Sequence, residues 1–135
     1  MEQLIKNNDL QDNIFLLGKK GKVEIANELS VSHVFVLPSR NENFSVAILE
    51  ALSMGLPVIA TDCGGIRECL NEKNGMIVPV DDIDAMADAI QQMADTYTQY
   101  DRNYIAEDCK IRFSPKAIAE KLTAVFENTI RNVKS

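Results

Sequence analysis

The chain has 135 residues, 46% apolar and 25% charged, the balance of an ordinary folded domain that buries about two-thirds of its unfolded surface. Asp and Glu number 20 against 14 Lys and Arg, and the net charge of −6 argues against a general nucleic-acid surface or a polybasic membrane patch. No run approaches the ~20 apolar residues a membrane span needs, and Met1–Leu10 is too polar for a signal peptide.

In chain order, Met1–Asn8 reads as the tail of a helix, with Leu4 and Ile5 as its main apolar residues. Asp12–Asn13 turns the chain into Ile14–Leu17, a short apolar run suited to a buried parallel strand, and Gly18 ends it. Lys19, Lys20 and Lys22 follow, either a solvated loop or a cluster able to meet phosphate. Val23–Leu29 has the apolar spacing of a short helix. His33 stands alone, with no second histidine to share a metal, and reads as structural.

Two β-type runs, Val34–Pro38 and Pro57–Thr61, then enclose a polar loop, Ser39–Ser45, and a mostly apolar helix, Val46–Met54. Gly64–Gly65 opens a brief helix over Ile66–Leu70, and such glycines permit positive φ and close approach to a ligand. Arg67 can pair with Glu68, pair with an acid of the loop, or reach phosphate. Asn74–Gly75 signals a turn before the strand Met76–Val80, and Asp81 or Asp82 caps a helix with Ile83, Met86, Ala87, Ile90 and Met93 at helical spacing. Thr96–Arg112 is polar and reads as a helix with a loose packing face. Ser114–Pro115 starts a last helix whose stripe, Ile118, Leu122, Val125, Phe126 and Ile130, is expected to pack across the domain and to fray after Arg131. Cys63, Cys69 and Cys109 are odd in number and lack metal-type spacing, which suits a reduced cytoplasmic setting; the alternative is a Cys63–Cys69 disulfide over the glycine turn.

Chemistry concentrates between Ser39 and Met54. A helix start presents unpartnered N–H groups and a partial positive charge, so phosphate oxygens bind there readily. Ser45, or alternatively Asn43, can cap it. Glu50, the only charge on the helix, lies about 7–8 Å beyond Ser45 along the axis, roughly the reach from a phosphate to the diol of its ribose. A carboxylate can accept from both hydroxyls. Glu42 would stand on the other side of the phosphates, towards a sugar. Against this, Glu50 and Glu42 could each simply face water.

The pattern VFVLPS-x2-E-N-F-S-x4-E-A-L-S-M-G-x-P-V-I-A-T-x2-G-G-x2-E resembles the signature of the large "glycosyl transferases group 1" family, retaining enzymes of GT-B architecture that use nucleotide-sugars. The match extends upstream to Ile14–Gly18 and downstream through Gly75–Val80 to Asp81–Asp82, covering most of Leu10 to Met93. The resemblance implies an α/β fold, namely part of a doubly wound, Rossmann-like parallel sheet of about four strands with flanking helices. Residues 1–113 would form a partial nucleotide-sugar-binding domain, the C-terminal, donor-binding domain of such an enzyme. Residues 114–135 would be a helix packed on it. The resemblance also implies roles. Glu42 would contact the donor sugar near the reaction centre, Glu50 would hold the ribose, and the amides of Asn43, Phe44, Ser45 and Val46 would reach the diphosphate and sugar. Gly18, Lys19 and Lys20 would approach the base. No metal is expected, since amides and cations carry the charge. Where the family usually has Gly after the first acid this chain has Asn43, which tolerates left-handed backbone better than most residues.

With the family's strand order 3-2-1-4-5-6, Ile14–Leu17 becomes strand 3, Val34–Leu37 strand 4, Pro57–Ala60 strand 5 and Met76–Val78 strand 6. Strands 1 and 2, the N-terminal acceptor-binding domain and the family's Arg/Lys pair for the diphosphate would then lie upstream. One face of such a sheet would be short of covering helices, so strand 3 would slide beside strand 4 under a refolded tail, or the chain would self-associate, the favoured outcome. The expected parent enzyme transfers a hexose to a hydroxyl in cell-envelope glycan synthesis, in the cytoplasm or at the inner face of the membrane. The chain alone is expected to be inactive. The alternative is a non-catalytic nucleotide-binding or self-association module.

Overall fold

The computed structural model describes residues 1–134. Its centre is a sheet of three parallel strands, β1 (Phe35–Leu37), β2 (Val58–Thr61) and β3 (Gly75–Val78), in that spatial order. Phe35 lies opposite Val58, which lies opposite Gly75. Parallel neighbours need a crossover, and two helices supply it: α3 (Val46–Ser53) between β1 and β2, and α4 (Ile66–Cys69) between β2 and β3. Right-handed crossovers bring both onto one face. There Ile48, Ala51 and Leu52 of α3 and Ile66 and Cys69 of α4 pack on Val58 and Ala60. The alternate strand residue Ile59 points the other way, onto Ala89 and Met93 of α5 (Ile83–Thr96). Every residue of β2 is buried, as a central parallel strand requires.

Around this centre, Leu29 of α2 (Lys22–Val31) reaches the α3 core. So do Ile105 and Cys109 of α6 (Arg102–Phe113). A short helix, α1 (Glu2–Asn7), buries Ile5 at the N-terminus. The last helix, α7 (Pro115–Lys134), starts as the Ser-Pro pair predicts, with the Ser114 hydroxyl accepting from the Ala117 amide at 3.2 Å. Ser135 lies outside the described residues. Among the described residues no helix is long and apolar enough to cross a membrane.

The α/β, parallel architecture is as the sequence predicts, with four corrections. The sheet has three strands, not four, among the described residues, because Ile14–Leu17 forms none. Those four side chains are exposed, Phe15 at 69%. A strand exists only as a member of a ladder, and the run neither finds its expected neighbour nor slides beside β1, whose outer edge has no strand partner among the described residues. The second face of the sheet, expected to be short of covering helices, is covered by α5 over β2 and β3. The polar tract 96–112 is broken by a 3₁₀ turn, Tyr97–Gln99, and α6 begins only at Arg102, where Asp101 accepts from the amides of Asn103 and Tyr104. Its inner face is tight, with Ile105 and Cys109 buried. Finally, α7 leans on α6 and leaves its apolar stripe, Ile118, Leu122, Val125, Phe126 and Ile130, exposed; it remains helical past Arg131.

Candidate functional site

In parallel α/β sheets the ligand crevice lies beyond the carboxyl ends of the strands. Here that end carries the loop Ser39–Ser45 after β1 and the turn Asp62–Gly65 after β2. Ser45 is the cap of α3: its backbone is extended and its buried hydroxyl accepts from the Ile48 amide at 3.3 Å. The candidate Asn43 does not cap. Among the described residues the amides of Asn43, Phe44, Ser45, Val46 and Ala47 find no protein acceptor. No acid occupies the first turn of α3, so its positive end is uncompensated by the helix itself.

The neighbouring turn holds this loop in place. The Thr61 hydroxyl donates to the Ser39 carbonyl, and the Gly65 amide donates to the Asn43 carbonyl at 3.2 Å. Gly64 takes φ +54°, and a Cβ there would lie 1.3 Å from the Glu42 carbonyl oxygen; at Gly65 a Cβ would lie 2.5 Å from that of Asn43. The two glycines therefore permit a close approach of backbone to backbone, where the sequence suggested backbone to ligand. Asn43 does not adopt positive φ, so its tolerance of left-handed backbone is not used. The Phe44 ring tilts against Phe113 at 5.9 Å, tying the loop to the end of α6.

The two acids differ in setting. Glu42 is half-buried and accepts from the Ser39 hydroxyl at 2.9 Å. Glu50 is exposed on α3, and its carboxylate makes no hydrogen bond or ion pair among the described residues. Gly18, at φ +68°, and Lys19 are exposed, while Lys20 pairs with Glu28 at 3.2 Å. No hydrogen bond or ion pair among the described residues joins Gly18–Lys20 to the loop or to α3. The structure thus brings Glu42, Asn43, Phe44, Ser45 and Val46 together at one helix end, with Glu50 further along the same helix.

Several partners were not legible in the sequence. Arg40 donates through Nε to Asp81 at 2.7 Å, and Asp81 takes φ +60°. These two, with Ser39, Thr61, Asp82 and the α5 side chains, border a groove of about 320 Å³. Arg67 donates to neither Glu68 nor the loop but to both oxygens of Asp62, at 2.8 and 2.6 Å, and those hydrogen bonds hold the Asp62 carboxyl below the usual carboxylate range. Arg40 follows β1 and Asp81 follows β3, so their pairing spans the end of β2 and depends on strand order, whereas Asp62 and Arg67 are five residues apart. All three cysteines are free, and burial pushes the Cys69 and Cys109 thiols up. His33 packs edge-on against Tyr97 at 5.1 Å. Among the described residues no group of three or more His, Cys, Asp or Glu side chains converges.

This geometry has relatives. The family described as "Glycosyl transferases group 1" matches residues 1–96. The lipopolysaccharide core biosynthesis mannosyltransferase LpsB of Rhizobium meliloti is 30% identical over 97% of this chain and 38% of its own length. The UDP-Gal:alpha-D-GlcNAc-diphosphoundecaprenol alpha-1,3-galactosyltransferase of Escherichia coli is 36% identical over 76% of this chain and 25% of its own. Among solved structures, sucrose-phosphate synthase from Thermosynechococcus elongatus superposes with a TM-score of 0.80 at 28% identity, over 97% of this chain and 34% of that one. The chain thus spans roughly a quarter to two-fifths of the length of these proteins. The chain belongs to the glycosyl transferases group 1 family, a glycosyltransferase family with members in cell-envelope glycan synthesis.

Proposed function

We propose that this chain is the C-terminal, donor-binding part of a retaining glycosyltransferase that moves a hexose from a nucleotide-sugar to a hydroxyl acceptor, in cell-envelope glycan synthesis. The observation that carries the reading is the row of amides, Asn43–Ala47, without protein acceptors at the start of α3, with Glu42 before it and Glu50 beyond it. In this reading the amides hold the diphosphate, Glu50 the ribose diol and Glu42 the sugar, while Gly18–Lys20 border the base. The acceptor sits on a domain N-terminal to this one. The enzyme works in the cytoplasm, its parent peripheral at the inner membrane face.

The reaction breaks the bond between the anomeric carbon and the diphosphate, whose oxygen leaves with the electron pair. The acceptor oxygen bonds the same carbon and the hydroxyl proton is released. Preorganised amides stabilise the charge gathering on the diphosphate, and a carboxylate near the sugar favours the positive charge developing at the ring. This division of labour calls for no metal held by the chain. A UDP-sugar is the donor named for the Escherichia coli relative and is the first to test here.

Titration calorimetry with UDP, GDP and their sugars tests the reading. Binding is expected to be weak, and Glu50→Ala is expected to remove the ribose-dependent part, a loss of about tenfold or more for hydrogen bonds to a charged acceptor. Binding untouched by that substitution contradicts the assignment. A second reading, a non-catalytic binding or self-association module, is favoured by the free edge of β1 and the exposed Ile14–Leu17 run. Turnover by this chain alone is expected to be blank, and transfer by it would reject both that reading and the need for an upstream domain.

A further inference from the structure

We infer that Ser39 is a positioning residue for Glu42, itself held by Thr61; this rests on the reading of Glu42 as the group that meets the donor sugar. The Ser39 hydroxyl donates to Glu42 Oε1 at 2.9 Å. A hydroxyl can turn to any neighbour, so its direction is informative only if its own backbone is fixed. Here it is. The Ser39 carbonyl accepts from the Thr61 hydroxyl, and the Cys63 thiol donates to the same oxygen at 3.5 Å. Thr61 is the last residue of the fully buried strand β2, is itself buried, and carries a branched side chain with few rotamers.

The result is a relay that runs from the rigid centre of the sheet to one carboxylate oxygen. Glu42 otherwise sits in a loop of irregular backbone, where a carboxylate would sample several rotamers. Gly64, with no Cβ, lets the Glu42 backbone lie against the turn, and the Gly65 amide holds the neighbouring Asn43 carbonyl at 3.2 Å. Ser39 fixes the side chain. One Glu42 oxygen is thereby committed to the protein, and its other oxygen, with the remaining lone pairs of the first, is left for a sugar hydroxyl. A site that must hold reacting groups to a fraction of an ångström gains from such support.

The test measures, for this chain, the ratio of the dissociation constants of UDP and UDP-glucose, with GDP and GDP-mannose in parallel. Four variants are compared: Ser39→Ala, Ser39→Thr, Glu42→Ala, and Ser39→Ala with Glu42→Ala. Circular dichroism confirms that each is folded. Ser39→Ala is expected to weaken the sugar-dependent preference by about three- to tenfold, the scale of one hydrogen bond, and to leave nucleoside diphosphate binding unchanged. Ser39→Thr, which keeps the hydroxyl, restores the preference. In the double variant Ser39→Ala adds nothing to Glu42→Ala. Loss of UDP and UDP-glucose binding alike, an unchanged preference in Ser39→Ala, or additive effects in the double variant overturns the inference while leaving Glu42 as the sugar contact. If Glu42→Ala itself changes no preference, or if no preference exists, the reading of Glu42 falls and the inference with it.

Discussion

At Ser45 one hydroxyl decides where α3 begins, and therefore which amides remain open. Ser45→Ala would cost about 0.5–2 kcal/mol of helix stability in a denaturant melt. Caps of this kind are partly legible in a sequence because they are local: the alternatives Asn43 and Asp81 drop out, and Ser45, Asp82 and Ser114 each accept from the amide three residues on. The Thr61–Ser39 and Arg40–Asp81 contacts were not legible, because they join residues more than twenty positions apart whose meeting depends on strand order. Burial divides the cysteines in the same way. Cys69 and Cys109 lie inside the α3 core with their thiols pushed up by burial, whereas Cys63 is half-buried beside the loop. Only a thiolate attacks a disulfide reagent. A single fast-reacting thiol, mapped to Cys63, is therefore expected in the native chain, with the other two reacting only on unfolding. Prompt reaction of all three would show that the core packs differently.

Among the elements, β2 and the turn after it organise the site. The strand was visible as Pro57–Thr61, an apolar run bounded by Pro and Gly, and its burial follows from having a neighbour on each side. Ile14–Leu17 is also a short apolar run and forms no strand. The difference lies outside both segments: a strand's backbone groups need partners, which no local pattern can guarantee. Likewise the polar tract after Thr96 hid a helix start, because Asp101 was one acid among several until its oxygen met two amides. Gly64 tests how far the turn controls the loop. Gly64→Ala adds an unfavourable left-handed residue, about 1–2 kcal/mol, and a Cβ that must displace the Glu42 carbonyl. With the overpacking term of about 1–3 kcal/mol, the chain is expected to lose about 2–5 kcal/mol in a denaturant melt and to lose nucleotide binding. A neutral substitution would mean that the 62–65 turn does not hold the 42–43 backbone.

At the scale of the molecule, the sheet ends at β1, which has no outer strand partner among the described residues and is flanked by a groove lined by Phe15, Val31, Val36, Ile90 and Tyr97. The exposed stripe of α7 and the Ile14–Leu17 run add further apolar surface. Free edges and contiguous apolar patches favour association, so sedimentation of the chain is expected to reveal dimers or larger species at micromolar concentration. A strict monomer there would mean that this surface is tolerated in water. In the proposed reading α3 and its loop form the wall that recognises the diphosphate and ribose. The most direct measurement is therefore an amide chemical-shift titration of the isotopically labelled chain with UDP and with GDP. The largest shifts are expected at Asn43–Ala47 and at Glu50, with smaller ones at Gly18–Lys20. Shifts that gather elsewhere, with the 43–47 amides unmoved at millimolar nucleotide, would contradict it.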